Sequence, residues 1–527
     1  MDYFKIAYFL YFIPITILVY QLMPKKIRWY VLLLSSVAYA FYYSKGYVVY
    51  SVATTLIAYI TVLIIMAVKK KGKERLKQLA KEEKKLFKKK QQRKEKLILV
   101  VGVLFILSIL LYLKYYNFFA ENVNNIFAGG KIILRAKHLI MPLGISFYTL
   151  QAVGYVADVY WGKVEAQKNP LKLLLFLLFF PTLMEGPIAA YTEINNKLYA
   201  GESLDLDNLA QGYIRIFWGL FKKLVIADRL YVIVSELFNN AASYHGAYIA
   251  AASITYTLQL YMEFSGCIDI VIGSAKLFGI TLPENFRQPF LSKDASEFWR
   301  RWHMSLGVWF KTYIFYPVAM LKPVKKWTKF GPKHVGKTVT RLVELAIALL
   351  PVWLSNGLWH GAAWGFICYG LYYFTVILIE QALEPVRQKA VSGLKISDET
   401  IWYKWVRRIK TWLIIFTGEL FFRAEDLKLG FSMYKSMFHK FRISELFNGS
   451  FLNMGLDRLD FMAVLFGLMV VAIVGAFREK HQDFGAWLAE RKLPVRWFLY
   501  ISLIVGVIIL GVYGPGHEEV DLIYAGF

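Results

Sequence analysis

Leu97-Ile-Leu-Val-Val-Gly-Val-Leu-Phe-Ile-Leu-Ser-Ile-Leu-Leu-Tyr-Leu113 runs without a single charge. A helix rises about 1.5 Å per residue and needs about 20 residues to cross a bilayer core, so this stretch nearly fills one. Just before it, Lys69–Lys96 is mostly Lys and Arg with a few Glu, and a second apolar run precedes that segment. A basic segment between two apolar runs reads as a juxtamembrane loop held in the cytoplasm. The same alternation continues outward. Leu171–Pro181, Val339–Trp353 and Trp497–Val512 sit in further apolar runs. Candidate spans fall near 5–22, 29–44, 48–68, 97–114, 139–160, 171–190, 209–237, 247–264, 306–320, 339–358, 361–383, 405–422, 460–477 and 497–513. Lys25, Lys26 and Arg28 follow the first span, which puts them inside and the N-terminus outside. The first span has no basic residues leading into a signal-like run and no small-residue cleavage site, so it reads as retained.

Two of these stretches are irregular. Pro142, Gly144, Gly154 and Asp158 fall in the first, and Pro181, Glu185, Gly186 and Pro187 in the second. Irregular backbone at membrane depth survives only where protein or a water-filled cavity covers it. Both therefore read as broken or re-entrant helices, and the true crossings number about 11. The fold class expected is an all-α polytopic membrane protein. It forms a single domain over 1–527, with a basic cytoplasmic loop at 69–96 and a short polar connection at Pro385–Tyr403.

Composition agrees. Of 527 residues, 57% are hydrophobic and 17% aromatic, and the mean hydropathy is +0.42. A soluble domain, with about half its residues apolar, does not carry this load. The net charge of +26 suits either nucleic acid or anionic lipid. Its concentration beside apolar runs selects the lipid bilayer, and no nucleic-acid recognition motif accompanies it. Cys267 and Cys368 stand apart in apolar contexts and read as small buried hydrophobes. The remaining histidines, at 138, 245, 334, 439, 481 and 517, lack ligand spacing, so no metal site is expected. Gly331-Pro-Lys-His-Val-Gly-Lys337-Thr338 matches a phosphate-loop pattern, but it follows a basic loop and precedes a span. Without a sheet to carry it, the match is discounted.

The chemistry-bearing residues gather in 261–373. Ser265 and Gly266 lead to Asp269, then Leu282-Pro-Glu-Asn285-Phe286, then Glu297-Phe-Trp-Arg300-Arg301-Trp302-His303, and finally Asn356-Gly-Leu-Trp359-His360-Gly361. Ionisable groups inside membrane segments usually face a cavity or one another. Imidazole takes a proton near neutral pH, as moving an acyl group onto a hydroxyl requires, and the site must exclude water. His303 and His360 fit that demand, though a lone His beside Trp is more often a hydrogen-bonded core residue. Arg300 and Arg301 can hold donor phosphates or snorkel to the interface. Asp269, Glu263 and Glu185 can pair with buried cations, and Gly357 and Gly361 permit a helix break.

The phrases Phe298-Trp-Arg-Arg-Trp-His303 and Gly357-Leu-Trp-His360-Gly361 resemble the membrane-bound O-acyltransferase (MBOAT) superfamily. More closely, they resemble its bacterial branch of alginate and cellulose O-acetyltransferases. Pro142–Phe147, Asp158–Tyr160, Phe179–Pro181, Gly186–Ile188 and Phe421–Ala424 extend the likeness in order, strongest over 139–425. The resemblance implies a ring of membrane helices around a central tunnel, with His360 as general base and His303 positioning donor or acceptor. Arg300, Arg301, Trp302, Trp359, Asp269, Ser265 and Asn285 would bind substrate. No cofactor is bound; the donor is acetyl-CoA or an acyl-carrier thioester docking at the cytoplasmic face. The acceptor is a cell-surface polysaccharide, such as alginate or another exopolysaccharide, reached directly or through a separate extracytoplasmic acetyltransferase. Cys267, Lys311-Thr-Tyr313, Glu185 and the long 69–96 segment depart from the pattern and bear on donor and acceptor identity. D-alanyl transfer to teichoic acid, or non-enzymatic transport, are the alternatives.

Overall fold

A computed structural model describes residues 5, 7–127, 132–424, 426–481 and 484–513. Residues 1–4 and 514–527 of the single-domain reading, with His517, lie outside the described residues. Among the described residues every regular element is helical. In hydrocarbon, a helix satisfies its own backbone groups, where a lone strand cannot. Among the described residues six helical segments are long and apolar enough to cross a membrane: Lys25–Gln78, Lys81–Phe127, Gly336–His360, Trp364–Gly393, Arg458–Lys480 and Leu493–Leu510. The chain is thus an all-α, multi-pass membrane protein. Ala247–Lys276, at 30 residues, matches them in length but carries Glu263, Asp269 and Lys276.

The described residues form two compact units, Met1–Gly212 with Ser274–Pro283, and Tyr213–Gly273 with Glu284–Phe527. In the first, the basic stretch at 69–96 is not a loop. Val48–Gln78 stays helical through its lysines, and Lys81–Leu110 begins only two residues later. The connection consists of Leu79 and Ala80, both in extended conformation. Small residues bring the two helices together: a Cβ on Gly102 would lie 2.3 Å from Thr61 Cγ2. Gln91 Nε2 donates to Val68 O at 2.8 Å across the same seam. Lys69 reaches the end of a third helix, Ile145–Trp161, donating to Tyr160 O at 2.6 Å. A cation at a helix C-terminus meets the negative end of its dipole.

Ile145–Trp161 is unbroken across Gly154, and its irregularity lies before it. Gly144 has φ 71°, and a Cβ there would sit 2.1 Å from Leu183 O. The stretch after Pro170 does break. The helix ends at Leu178, a single 3-10 turn follows at Phe180–Thr182, and Phe179, Phe180 and Glu185 are all buried. Ser36 Oγ accepts the freed N–H of Phe180 at 3.0 Å, so protein covers the irregular backbone.

The second unit packs its helices backbone to backbone through glycines. A Cβ on Gly370 would lie 2.3 Å from Trp353 O, and one on Gly357 would lie 2.2 Å from Phe366 O. Gly336–His360 and Trp364–Gly393 therefore pair at close range.

Candidate active site

His303 lies just beyond a short helix, Ala295–Arg301, and opens another, Met304–Phe310, in the left-handed conformation with φ 45°. A non-glycine residue holds that conformation only where its surroundings enforce it. Asn285 does so. Its backbone carbonyl accepts from Met304 N at 2.9 Å, and its Oδ1 accepts from Ser305 N at 2.9 Å. The same Oδ1 faces His303 Nδ1 at 3.3 Å. An oxygen already accepting from a backbone N–H is an acceptor toward imidazole too, which assigns the proton to Nδ1 and a lone pair to Nε2. Nε2 is buried, and no described group hydrogen-bonds it.

His360 is the last residue of its helix, 5% exposed. The rings of Trp359 and Phe422 each meet it at 4.9 Å, and Tyr369 meets it at 5.9 Å. Gly357 does not break this helix, which continues through it to His360. The chain turns at Gly361, where a Cβ would strike the Phe366 ring at 2.2 Å. Trp359 joins the two histidines, its ring lying 5.4 Å from that of His303.

Both histidines line one cavity of about 800 Å³. Arg341, Leu345, Ala348, Val352, Asn356 and His360 mark one stripe of the Gly336–His360 helix along its wall. From first to last that stripe covers about 29 Å of helix. Arg300, Lys311 and Arg341 contribute cationic groups to the lining, and Leu345–Val352 is its apolar middle. A long, largely apolar chamber with few polar groups suits a small reactive group on a flexible arm.

A profile of the membrane-bound O-acyltransferase family matches residues 165–330. Over 381 residues the chain is 32% identical to the probable alginate O-acetylase of Azotobacter vinelandii, covering 72% of this chain and 69% of that protein. The chain belongs to the membrane-bound O-acyltransferase family. It is 31% identical to the peptidoglycan O-acetyltransferase of Helicobacter pylori over 369 residues, 64% of each chain. It is also 32% identical to the teichoic acid D-alanyltransferase of Bacillus subtilis over 264 residues, 48% of this chain and 62% of that one.

This membrane-bound O-acyltransferase sorts the residues singled out from its sequence into two places. His303, His360, Arg300 and Trp302 line the large cavity, with Asn285 and Trp359 buried behind the histidines. No hydrogen bond or ion pair joins the exposed Arg300 to a described residue, whereas its neighbour Arg301 is held by Glu297 and by both oxygens of Glu479 at 2.9–3.0 Å. Asp269 and Ser265 belong to a separate ion cluster. Asp269 pairs with Arg215 and Lys222, Lys222 donates to Ser265 Oγ at 2.9 Å, and Arg215 also grips Glu284. Among the described residues no three His, Cys, Asp or Glu side chains gather as metal ligands would.

Several polar residues of the lining carry no role in the sequence reading, among them Arg341, Glu344, Asn356 and Glu419. Asn356 stands in the quoted phrase one turn before His360. Glu419 is an acid inside the apolar Trp412–Phe422 stretch, which is signal enough to mark it.

Proposed function

We propose that this O-acyltransferase passes an acetyl group from a cytoplasmic thioester donor to an extracytoplasmic hydroxyl, and so O-acetylates a cell-surface polysaccharide. The observation that carries the reading is the single cavity holding both His303 and His360. The relatives named for alginate and peptidoglycan O-acetylation match 64–72% of the chain, against 48% for the Bacillus subtilis D-alanyltransferase. That difference favours acetyl over D-alanyl as the group moved.

In this reading the whole chain acts as one membrane-embedded domain, a ring of about 11 crossings with re-entrant pieces, and the cavity is the core of a tunnel between the two faces. The donor, acetyl-CoA or an acyl carrier, meets the basic face, with Arg300 free to take a phosphate. The acceptor hydroxyl, on the sugar or on a partner acetyltransferase, arrives beside His360. Its oxygen attacks the thioester carbonyl as His360 takes its proton. The C–S bond then breaks, and the proton passes to the departing thiolate. His303, fixed by Asn285, offers Nε2 as a second acceptor that orients one of the reactants. The aromatic wall keeps out the water that would otherwise hydrolyse the acyl group.

The test compares wild type with His360→Ala in a host deleted for this gene, at matched membrane levels. Ester-linked acetate is released from purified surface polysaccharide by mild base and quantified. Acetate from wild type alone is the expected result. Equal acetate from both ends the assignment of His360, and ester-linked alanine in its place shifts the reading to D-alanyl transfer.

A further inference from the structure

Asn356 lies on the Gly336–His360 helix, 6% exposed, and lines the same cavity as the two histidines. Its Oδ1 is buried, and no hydrogen-bond partner for it occurs among the described residues. Trp299 Nε1, a donor, and His303 Nε2, an acceptor, belong to the same lining and are in the same condition. Trp299 packs against Trp353, one turn before Asn356, at a ring distance of 5.1 Å. A buried polar group without a partner is costly, and folded proteins rarely keep one without a use. Together these atoms set out both donors and acceptors for a polar ligand.

The place of Asn356 along the wall decides which part of a ligand it meets. The lining stripe runs from Arg341 to His360, and Asn356 is its last member before His360. Four residues of helix put it about 6 Å short of His360, toward the cationic end. A thioester with its carbonyl at His360 and its phosphate toward Arg341 draws its arm past Asn356. In pantetheine, the arm that coenzyme A and carrier proteins share, two methylene groups separate the sulfur from the first amide. That amide therefore falls beside Asn356. It carries one N–H and one C=O. The asparagine side chain offers an acceptor and an N–H donor, which exchange places when its amide rotates.

We propose that Asn356 is a substrate-contacting residue, which holds the first amide of the donor's pantetheine arm and so sets how far the thioester reaches toward His360. This rests on the acyl-transfer reading. The competing partner for the same side chain is a hydroxyl of the acceptor.

Wild type, Asn356→Leu, Asn356→Ala and His360→Ala are compared as full-length proteins. Leucine keeps the number and branching of the heavy atoms, and alanine removes the amide without adding bulk. Surface ester acetate should fall roughly tenfold in both Asn356 variants at equal membrane level. In detergent, without ligand, Asn356→Leu should melt at or above wild type, because the orphaned acceptor is gone. Should it melt lower, Asn356→Ala decides: a melting loss there too marks a structural role and overturns the proposal. Acetate within about threefold of wild type in the Asn356 variants overturns it as well. The group held is read with 4′-phosphopantetheine, and inorganic phosphate serves as the control for the cations alone. The concentration giving half the melting shift should rise roughly tenfold in the variants for phosphopantetheine and stay level for phosphate. An equal concentration in wild type and variants, or no shift in wild type, overturns the contact with the arm and leaves the acceptor hydroxyl. If wild type makes no ester acetate, or His360→Ala makes as much, the acyl-transfer reading itself falls and this inference with it.

Discussion

His303 holds its left-handed backbone at a cost of about 1–2 kcal/mol, and Asn285 is what holds it there. One side-chain oxygen serves both Ser305 N–H and the imidazole. Asn285→Ala strands both groups in a buried site, for a loss of about 1–3 kcal/mol. The expected outcome is a lower melting temperature together with at least a tenfold fall in surface acetate. Loss of stability without loss of acetate separates Asn285 from the chemistry. Both histidines were legible in the sequence because each is an ionisable residue set among tryptophans in apolar surroundings. The split between Arg300 and Arg301 was not. Neighbours on a helix point about 100° apart, so one faces the cavity and the other Glu479, a partner 178 residues away. Asp269 and Ser265 were grouped with the histidines by closeness in sequence, but their partners, Arg215 and Lys222, come from another helix. Glu419 stands outside the quoted phrases, on the Ile401–Arg423 helix, so no motif points to it.

At the scale of the element, the Gly336–His360 helix does end at Gly361, whereas Gly357, read with it as part of a break, instead sets a helix spacing. Gly357→Ala would place a methyl group 2.2 Å from the Phe366 carbonyl oxygen, which belongs to rigid backbone. Overpacking of this kind costs about 1–3 kcal/mol, and the displaced helix carries His360, so melting temperature and acetate should fall together. Gly365→Ala is the contrast. Nothing lies within 4 Å of its Cβ, so the substitution should be neutral or stabilising by up to about 1 kcal/mol. An equal loss in both variants would discount the close approach. The apolar runs announced most of these helices. Their ends were harder to read, since a glycine permits a turn and a tight contact alike, and only the neighbouring chain decides between them. The basic segment shows the same limit: composition marked it as exposed, yet lysine is a good helix former, and the flanking helices continue through it.

For the molecule as a whole, charge does two jobs. By the positive-inside rule, the exposed lysines of the 69–96 segment are expected to set its orientation, whereas buried ions such as Lys222 and Asp269 pair within its interior. Removing one partner of a buried pair costs about 3–5 kcal/mol, so Lys222→Met should sharply reduce the folded protein recovered from membranes. Survival at wild-type levels would show that Arg215 alone suffices for Asp269. Orientation is tested by Lys84→Cys in a chain whose Cys267 and Cys368 are replaced by Ala. A membrane-impermeant thiol reagent should label it only when the cytoplasmic face is opened; labelling of intact cells would invert the assigned topology.

The two-residue connection between Val48–Gln78 and Lys81–Leu110 makes the molecule practical to engineer. Both helices run on as charged rods, Lys69–Gln78 for about 15 Å and Lys81–Lys96 for about 24 Å. A compact soluble domain with neighbouring termini, spliced between Leu79 and Ala80, would sit on a stiff two-legged mast. That rigidity would give particle images of this 61.0 kDa protein a landmark for alignment.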